Sequence, residues 1–416
     1  MNITDQDKEI LRELAKKYMS YATLPIQSEK RELWRSLNKL NMKKPMLAID
    51  QMPWHELDVD GSLICRVENP YFRGVEWGLR MEIYKWEHLP ADMVLNPYIT
   101  LNRPIGNTGY GLAFQSERAV SDEKSNVYGY HFINQFEEPE DIEKLKDPII
   151  TINREAEADI IATAHEIFDG IAPFKMAGWI MHVGIWDFIS QWMGVENVYM
   201  ELMDRPEFMH ALMERLTQAT IRQIEQVNEL GIYDINTNMC HCSYTFNDDI
   251  PGADCDRDNP TTKDGWCFGL AQLFSSVSPS ITAEFEVPYM QRIFPYFGSV
   301  YYGCCDRLDD RLDIVDRMPN IRKISCSPWS DRENFAAKIN PAKYIMSNKP
   351  NPALLATDSF DEDAVREDLR RTIKAAKDNG VCLEMILKDI STVRYEPQRL
   401  WRWSEIAAEE TLRAAL

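Results

Sequence analysis

The chain lacks any apolar run approaching the roughly 20 residues that a membrane-spanning helix needs. Basic residues are also scarce. Lys and Arg number 46 against 66 Asp and Glu, a formal net charge of -20, which argues against general binding to nucleic acid or to an anionic membrane while leaving room for a local basic pocket. The opening residues, MNITDQDKEILRELAKKY, have no apolar signal-peptide core and read as an amphipathic helix, so the expected location is the cytoplasm. Phosphate-binding loops are missing too. The Gly-Asn-Thr-Gly-Tyr-Gly run at 106–111 has no Lys-Ser/Thr after it and reads only as a loop, and no dinucleotide fingerprint follows any strand pattern. Nine cysteines, an odd number in such a chain, argue against a disulfide framework. Cys65 and Cys382 sit inside apolar runs and read as small hydrophobes.

What is present is alternation of helix and strand. Two helical patterns, interrupted by Pro25, fill residues 5–40, and a mixed, unusually aromatic region follows, with Trp77, Tyr84 and Trp86. The acidic, proline-punctuated stretch 136–148 reads as a boundary, which predicts an N-terminal helical and mixed extension over 1–150 and an α/β unit over 151–416. Within the latter, helices are expected over 185–193, from Pro206 to a stop at Gly231, over 281–296, 331–339 and 361–376, and from Pro397. Strands or buried segments are expected over 174–183, 232–235, 300–303, 321–326, 344–346 and 381–387. Repeated helix-then-strand order predicts parallel α/β architecture, and roughly 270 residues of it suit a closed (β/α)8 TIM-like barrel.

The stretch VYYGCCDRLDDRLDIVDRMPNIRKISCSPWSD, from Val300 to Asp331, carries the strongest chemical signal. A short strand pattern ends in Cys304, Cys305 and Asp306. A helical pattern with Leu308, Leu312 and Val315 follows, then a second strand pattern, the order of a βαβ unit. Reactive side chains at the carboxyl ends of parallel strands are where such folds place chemistry. The two thiols suit metal ligation, redox pairing or nucleophilic attack, against the alternative of packing at a tight turn. A second cluster is Cys240-His241-Cys242 with Cys255 and Cys267 downstream. It lacks zinc-knuckle spacing and reads as a strand-end loop whose His241 can reach the site. In the last strand, Leu383, Met385 and Leu387 face one way and Cys382, Glu384, Ile386 and Lys388 the other. Glu384 is therefore an acid in a buried strand, to be satisfied by an ion pair with Lys388 or an Arg, or by a metal. His182, Trp266, Tyr302 and Trp329 are candidates to shape an apolar substrate pocket, each with core packing as the alternative.

Two stretches carry a resemblance. GWIMHVGIWDFISQWMGVENVYMELMDRPEFMHALMERLT, with Gly194-Val195-Glu196 and Pro206-Glu207, and SPSITAEFEVPYMQRIFPYFGSVYYGCCD resemble the corresponding parts of uroporphyrinogen decarboxylase-like proteins from about residue 155 onward. The resemblance implies a TIM barrel and leans to the corrinoid-linked zinc methyltransferase branch. The tetrapyrrole-binding Arg pair of the decarboxylases has only Arg31 and Arg35 to match it, on a helix face. In the methyltransferase motif Cys304 matches a zinc-binding Cys, Tyr302 stands where a His would be, and Lys388-Asp389 occupies the region of the last ligand. What the resemblance implies is a demethylating methyltransferase that passes methyl from a small substrate, such as a methoxylated aromatic, to a separate corrinoid protein. Of the family's zinc ligands only Cys304 carries over; Cys305, His241 and Glu384 could complete a different set, with Glu384, Lys388 and Asp389 as the catalytic candidates and Tyr302, Trp329, His182 and Trp266 around the substrate. The alternatives are a metal-free decarboxylase-like lyase and a non-catalytic tetrapyrrole- or corrinoid-binding barrel. Assembly is open, a homodimer among the options.

Overall fold

The computed structural model describes residues 2–119, 129–235 and 238–415. Its centre is a seven-stranded sheet in the order Met46–Ile49, Cys382–Leu387, Ile345–Asn348, Ile321–Cys326, Ser299–Tyr302, Trp266–Gly269, His182–Val183. Every ladder in it is parallel. Helices Arg332–Lys338 and Glu362–Asp378 supply two of the crossovers, as parallel neighbours require. A separate parallel pair joins Ile99–Asn102 to Phe174–Ala177. Among the described residues no ladder links that pair to the seven-stranded sheet, so the α/β architecture is established and the closed barrel is not. Strands on either side of residue 150 pair with one another, Met46 beside Glu384 and Ile99 beside Phe174. No described helix is long and apolar enough to cross a membrane.

The period-two alternation of the strands sorts the core into two layers. Leu47, Met346, Leu383, Met385 and Leu387 lie in one, packed with Leu369 and Trp403 of the C-terminal helices. Met46, Ala48, Phe268, Tyr301, Ile345 and Ile386 lie in the other, packed with Leu11, Trp34 and Leu37 of Asp5–Ala22 and Pro25–Asn38. The two N-terminal helices form where expected. Thr4 and Asp7 make a capping box at the start of the first, and Pro25 opens the second, where a missing N–H costs nothing.

Four expected elements differ, the first being 174–183, which divides into Phe174–Ala177 and His182–Val183 in separate sheets. The 281–296 helix is split at Glu286 into Pro279–Phe285 and Val287–Ile293, because Pro288 cannot continue a helix begun upstream. The helix after Cys304 is a single turn, Leu312–Val315. Segment 232–235 contributes only a bridge between Tyr233 and Trp179.

The strand-paired hairpin Met239–Cys240 and Ser243–Tyr244 packs against the N-terminal layer. Trp34 stacks on Tyr244 with ring centroids 4.8 Å apart, and Asn38 Nδ2 donates to the carbonyls of Tyr244 and Phe246 at 3.1 and 2.7 Å. Beneath it runs a fully buried ion pair. Lys323 Nζ lies 2.7 Å from Glu384 Oε2, and also donates to Ser243 Oγ (2.7 Å) and the Tyr244 carbonyl (2.9 Å). Glu384 thus has its ion pair, but with Lys323 rather than Lys388 or an Arg. The pair clamps the hairpin to the sheet.

Candidate functional site

One residue separates Cys304 from strand Ser299–Tyr302. Gly303 makes the turn at φ +87, a conformation open to glycine; a Cβ there would stand 2.7 Å from Leu308 Cδ1. Gly303→Ala is accordingly expected to lower stability by about 1–3 kcal/mol, seen as an earlier urea midpoint; an unchanged midpoint would show that Leu308 yields freely. The Cys304 backbone is fixed from two sides, its N–H donating to Asp306 Oδ2 (2.6 Å) and its carbonyl accepting from Ser325 Oγ (2.6 Å).

The buried Cys304 sulfur is ringed by partners. Lys388 Nζ is 2.7 Å away, His241 Nε2 3.6 Å and Cys305 Sγ 3.8 Å. Lys388 follows strand Cys382–Leu387, on the Glu384 side of it. His241 sits at the turn of the clamped hairpin with φ +55, a left-handed conformation that histidine adopts more readily than most residues. Its ring stacks on Phe268, centroids 4.0 Å apart. Cys305 Sγ donates to Asp389 Oδ2 at 3.1 Å, and Lys388 lies 3.2 Å from the same oxygen. Ligand atoms of Cys304, Cys305 and Asp389 all fall within 4.8 Å of one another.

This setting makes Cys304 a thiolate. The Cys305 thiol, its one S–H shared between Asp389 and this sulfur, contributes most, and against the cost of burial His241 and Lys388 add to it, so the Cys304 pKa falls far below the ordinary thiol range. Cys305 shifts the opposite way, raised by that same hydrogen bond and by burial. Burial alone would discharge Lys388, but the sulfurs of Cys242 and Cys304 hold its ammonium above the usual lysine range. His241 behaves alike: burial opposes its charge, and hydrogen bonds to Cys242 and Cys304 raise it to about 9. Behind the thiolate, burial raises Asp306 to about 7 and Asp187 to about 6, with the Cys304 charge adding to both. His182, whose ring edge stays accessible, is held below the ordinary imidazole range by the enclosing walls and by His241, 5.8 Å away between ring centroids.

Of the residues singled out by sequence, Cys304, Cys305, His241, Lys388 and Asp389 converge, with His182 beside them. Glu384 does not join the sulfurs: its carboxylate is engaged by Lys323 and Ser243, and the third potential ligand beside the thiols is Asp389. Tyr302 points into the opposite core layer, where its hydroxyl donates to Glu286 at 3.3 Å. Trp266 is buried over Lys323, 5.6 Å from ring centre to Nζ. Trp329 is 73% exposed after strand Ile321–Cys326. The expected substrate-binding aromatics therefore do not gather around one pocket. Cys240 and Cys242 are buried separately in the hairpin, without Cys255.

No protein-family model matches this chain, and no curated protein matches it in sequence. Among solved structures, a methyltransferase from Methanosarcina mazei is similar over 91% of this chain and 98% of that one, with a TM-score of 0.50 and 12% identity. At that identity the likeness is one of fold.

Proposed function

We propose that this chain is a metal-assisted methyltransferase, moving a methyl group from a small methylated substrate to a corrinoid carried by a separate protein. The observation that carries this reading is the convergence of Cys304, Cys305 and Asp389 at strand ends, their ligand atoms all within 4.8 Å of one another. Two sulfurs and a carboxylate are donors that zinc accepts, and three protein ligands leave the open position a catalytic site needs. These residues fit zinc, with His241 at the edge of the set. When bound there, the metal supplies Lewis acidity toward the substrate heteroatom. The likeness in fold to a methyltransferase supports the class of reaction, and the same reading takes the sheet and the separate strand pair as the wall of a TIM-like barrel.

The chain's own residues do the rest. Methyl transfer breaks a carbon–heteroatom bond, leaves the electron pair on the heteroatom, and joins the methyl carbon to the acceptor. The heteroatom then needs one proton, and Lys388, held charged beside the sulfurs, is placed to give it. His182, neutral and accessible, is placed to orient the leaving atom by a hydrogen bond. The hairpin and Phe268 cover the His241 side of this corner, while Asp389 stays exposed.

Elemental mass spectrometry of protein purified without chelators is expected to find about one zinc per chain, lost in Cys304→Ala along with methyl transfer. Even an outer-shell partner is worth roughly 10- to 100-fold in metal affinity, so loss of a ligand should exceed that. Metal-free wild type, or full transfer by a Cys304→Ala/Cys305→Ala protein, would sink the mechanism. The ammonium of Lys388 so close to Cys304 favours one second reading, a metal-free decarboxylase-like lyase in which Lys388 receives a substrate carboxylate. Decarboxylation surviving exhaustive chelation would support it.

A further inference from the structure

A second cavity, of about 770 Å³, is built apart from the thiolate. Met239 and Tyr244 of the hairpin line it, whereas His241, at the turn of that hairpin, reaches Cys304. Its volume lies within the ordinary range for small-molecule pockets. Strand Ile99–Asn102 forms one wall. Ile99 and Leu101 are buried in the core layer, and Thr100 and Asn102, alternating with them, are exposed along the cavity after Asn96 and Tyr98. Lys175 pairs with Thr100 across the ladder and holds its ammonium 4.5 Å over the Tyr98 ring. Helix Pro70–His88 forms another wall through Gly74 and Gly78, and at both positions nothing lies within 4 Å of where a Cβ would stand. Tyr244, only 5% exposed, closes the inner end. Its hydroxyl accepts the Val94 N–H at 3.2 Å, and among the described residues no acceptor takes its own hydrogen.

The lining decides among ligand classes. Its charges balance, Glu82 and Asp234 against Arg103 and Lys175, and Arg103 is already 3.1 Å from Glu157. An anion would meet two acids with only Lys175 to hold it, and a cation would meet that ammonium. A wholly apolar ring would strip water from the amides, hydroxyl and phenols of the walls without replacing their hydrogen bonds. Hydroxyl groups avoid each of these costs, because every one both donates and accepts, as the Asn96 and Asn102 amides do, and can take the hydrogen that Tyr244 offers. The C–H faces of a saturated ring have Val75 and Leu79 to lie against. We infer that this cavity binds an uncharged glycoside of one or two rings, at a site separate from the thiolate. The inference is independent of the methyl-transfer reading.

Calorimetry and ligand-observed NMR of the full chain with methyl β-glucoside, methyl β-galactoside and maltose, beside glucuronate and glucosamine, test it. At least one of the three uncharged probes is expected to saturate with a Kd of about 1 mM or tighter, and both charged sugars to bind about tenfold more weakly or worse. Affinity should be kept in Cys304→Ala and fall by about tenfold or more in Asn102→Ala and in Gly78→Phe, whose ring enters the cavity from a helix that gains by losing a glycine. Saturation by none of the three, equal binding of a charged sugar, or indifference to both cavity variants would overturn the assignment. Loss of binding in Cys304→Ala would overturn the separateness of the site. Binding as described in a protein that carries no zinc and transfers no methyl would uphold the glycoside site and remove the reaction proposed above.

Discussion

A Glu384→Ala protein is expected to lose about 3–5 kcal/mol of stability, the cost of leaving one charge of a buried pair uncompensated. Both Glu384 and Lys323 are fully buried, 2.7 Å apart. Ser243 Oγ sits 2.9 Å from each carboxylate oxygen, and Lys323 holds the Tyr244 carbonyl as well. Removing the acid leaves Lys323, already pushed down by burial and held charged mainly by Glu384, with neutral acceptors only. The effect should not stop at stability. Ser243 and Tyr244 belong to the hairpin that carries His241, so the variant should also loosen His241 from Cys304. Urea unfolding gives the first number, and the chemical shift of the His241 ring gives the second. A double replacement, Lys323→Met with Glu384→Leu, removes both charges and is expected to recover most of the stability, as paired replacement of buried ions often does. A single variant within about 1 kcal/mol of wild type, the range of an exposed ion pair, would mean that the pair is not sealed from water.

That ion pair marks where the sequence stops being legible. The alternation in Cys382–Leu387 was enough to put Leu383, Met385 and Leu387 on one face and Glu384 with Lys388 on the other, because strand periodicity is local. It could not name Lys323 as the partner, since the two meet across different strands with Ile345–Asn348 between them. The strand-end placement of Cys304, Cys305, Lys388 and Asp389 follows from the same local patterns. His241 reaches them because Trp34 and Asn38, some two hundred positions earlier, and the Lys323–Glu384 pair seat its hairpin. Tyr302 is a plain case of parity: one residue along from Tyr301, it faces the other layer. The split at Glu286 carried a local signal, Pro288, that outweighs the apolar spacing on either side. Closure of the sheet had no such signal, because edge pairing depends on contacts that no single segment encodes.

In metal-stripped protein, Lys388→Met is expected to slow alkylation of Cys304 at pH 6, by about tenfold once the thiol pKa climbs to about 7. The direction follows from the shift. A thiol held far below its ordinary value of about 8.5 is already thiolate at pH 6, so the wild-type rate should be flat from there upward. Without the ammonium 2.7 Å away the pKa rises, with Cys305 and His241 still holding it down, and the rate at pH 6 falls, while near pH 9.5 the two proteins converge. Cys305, raised by its hydrogen bond to Cys304 and by burial, should not compete, and iodoacetamide labelling read by mass spectrometry separates the two sites. Stability has matching signs. The Cys304 contribution is complete above the unfolded thiol value and is lost as pH falls through the folded one; the Lys388 contribution, from a raised pKa, is complete below the unfolded lysine value and is lost as pH rises through the folded one. Both groups therefore favour the ionised pair across neutral pH, where a metal site must deliver its thiolate. An unchanged rate profile in Lys388→Met would move the stabilisation of the thiolate to His241 and Cys305, and would take from Lys388 the proton-donor role given to it here.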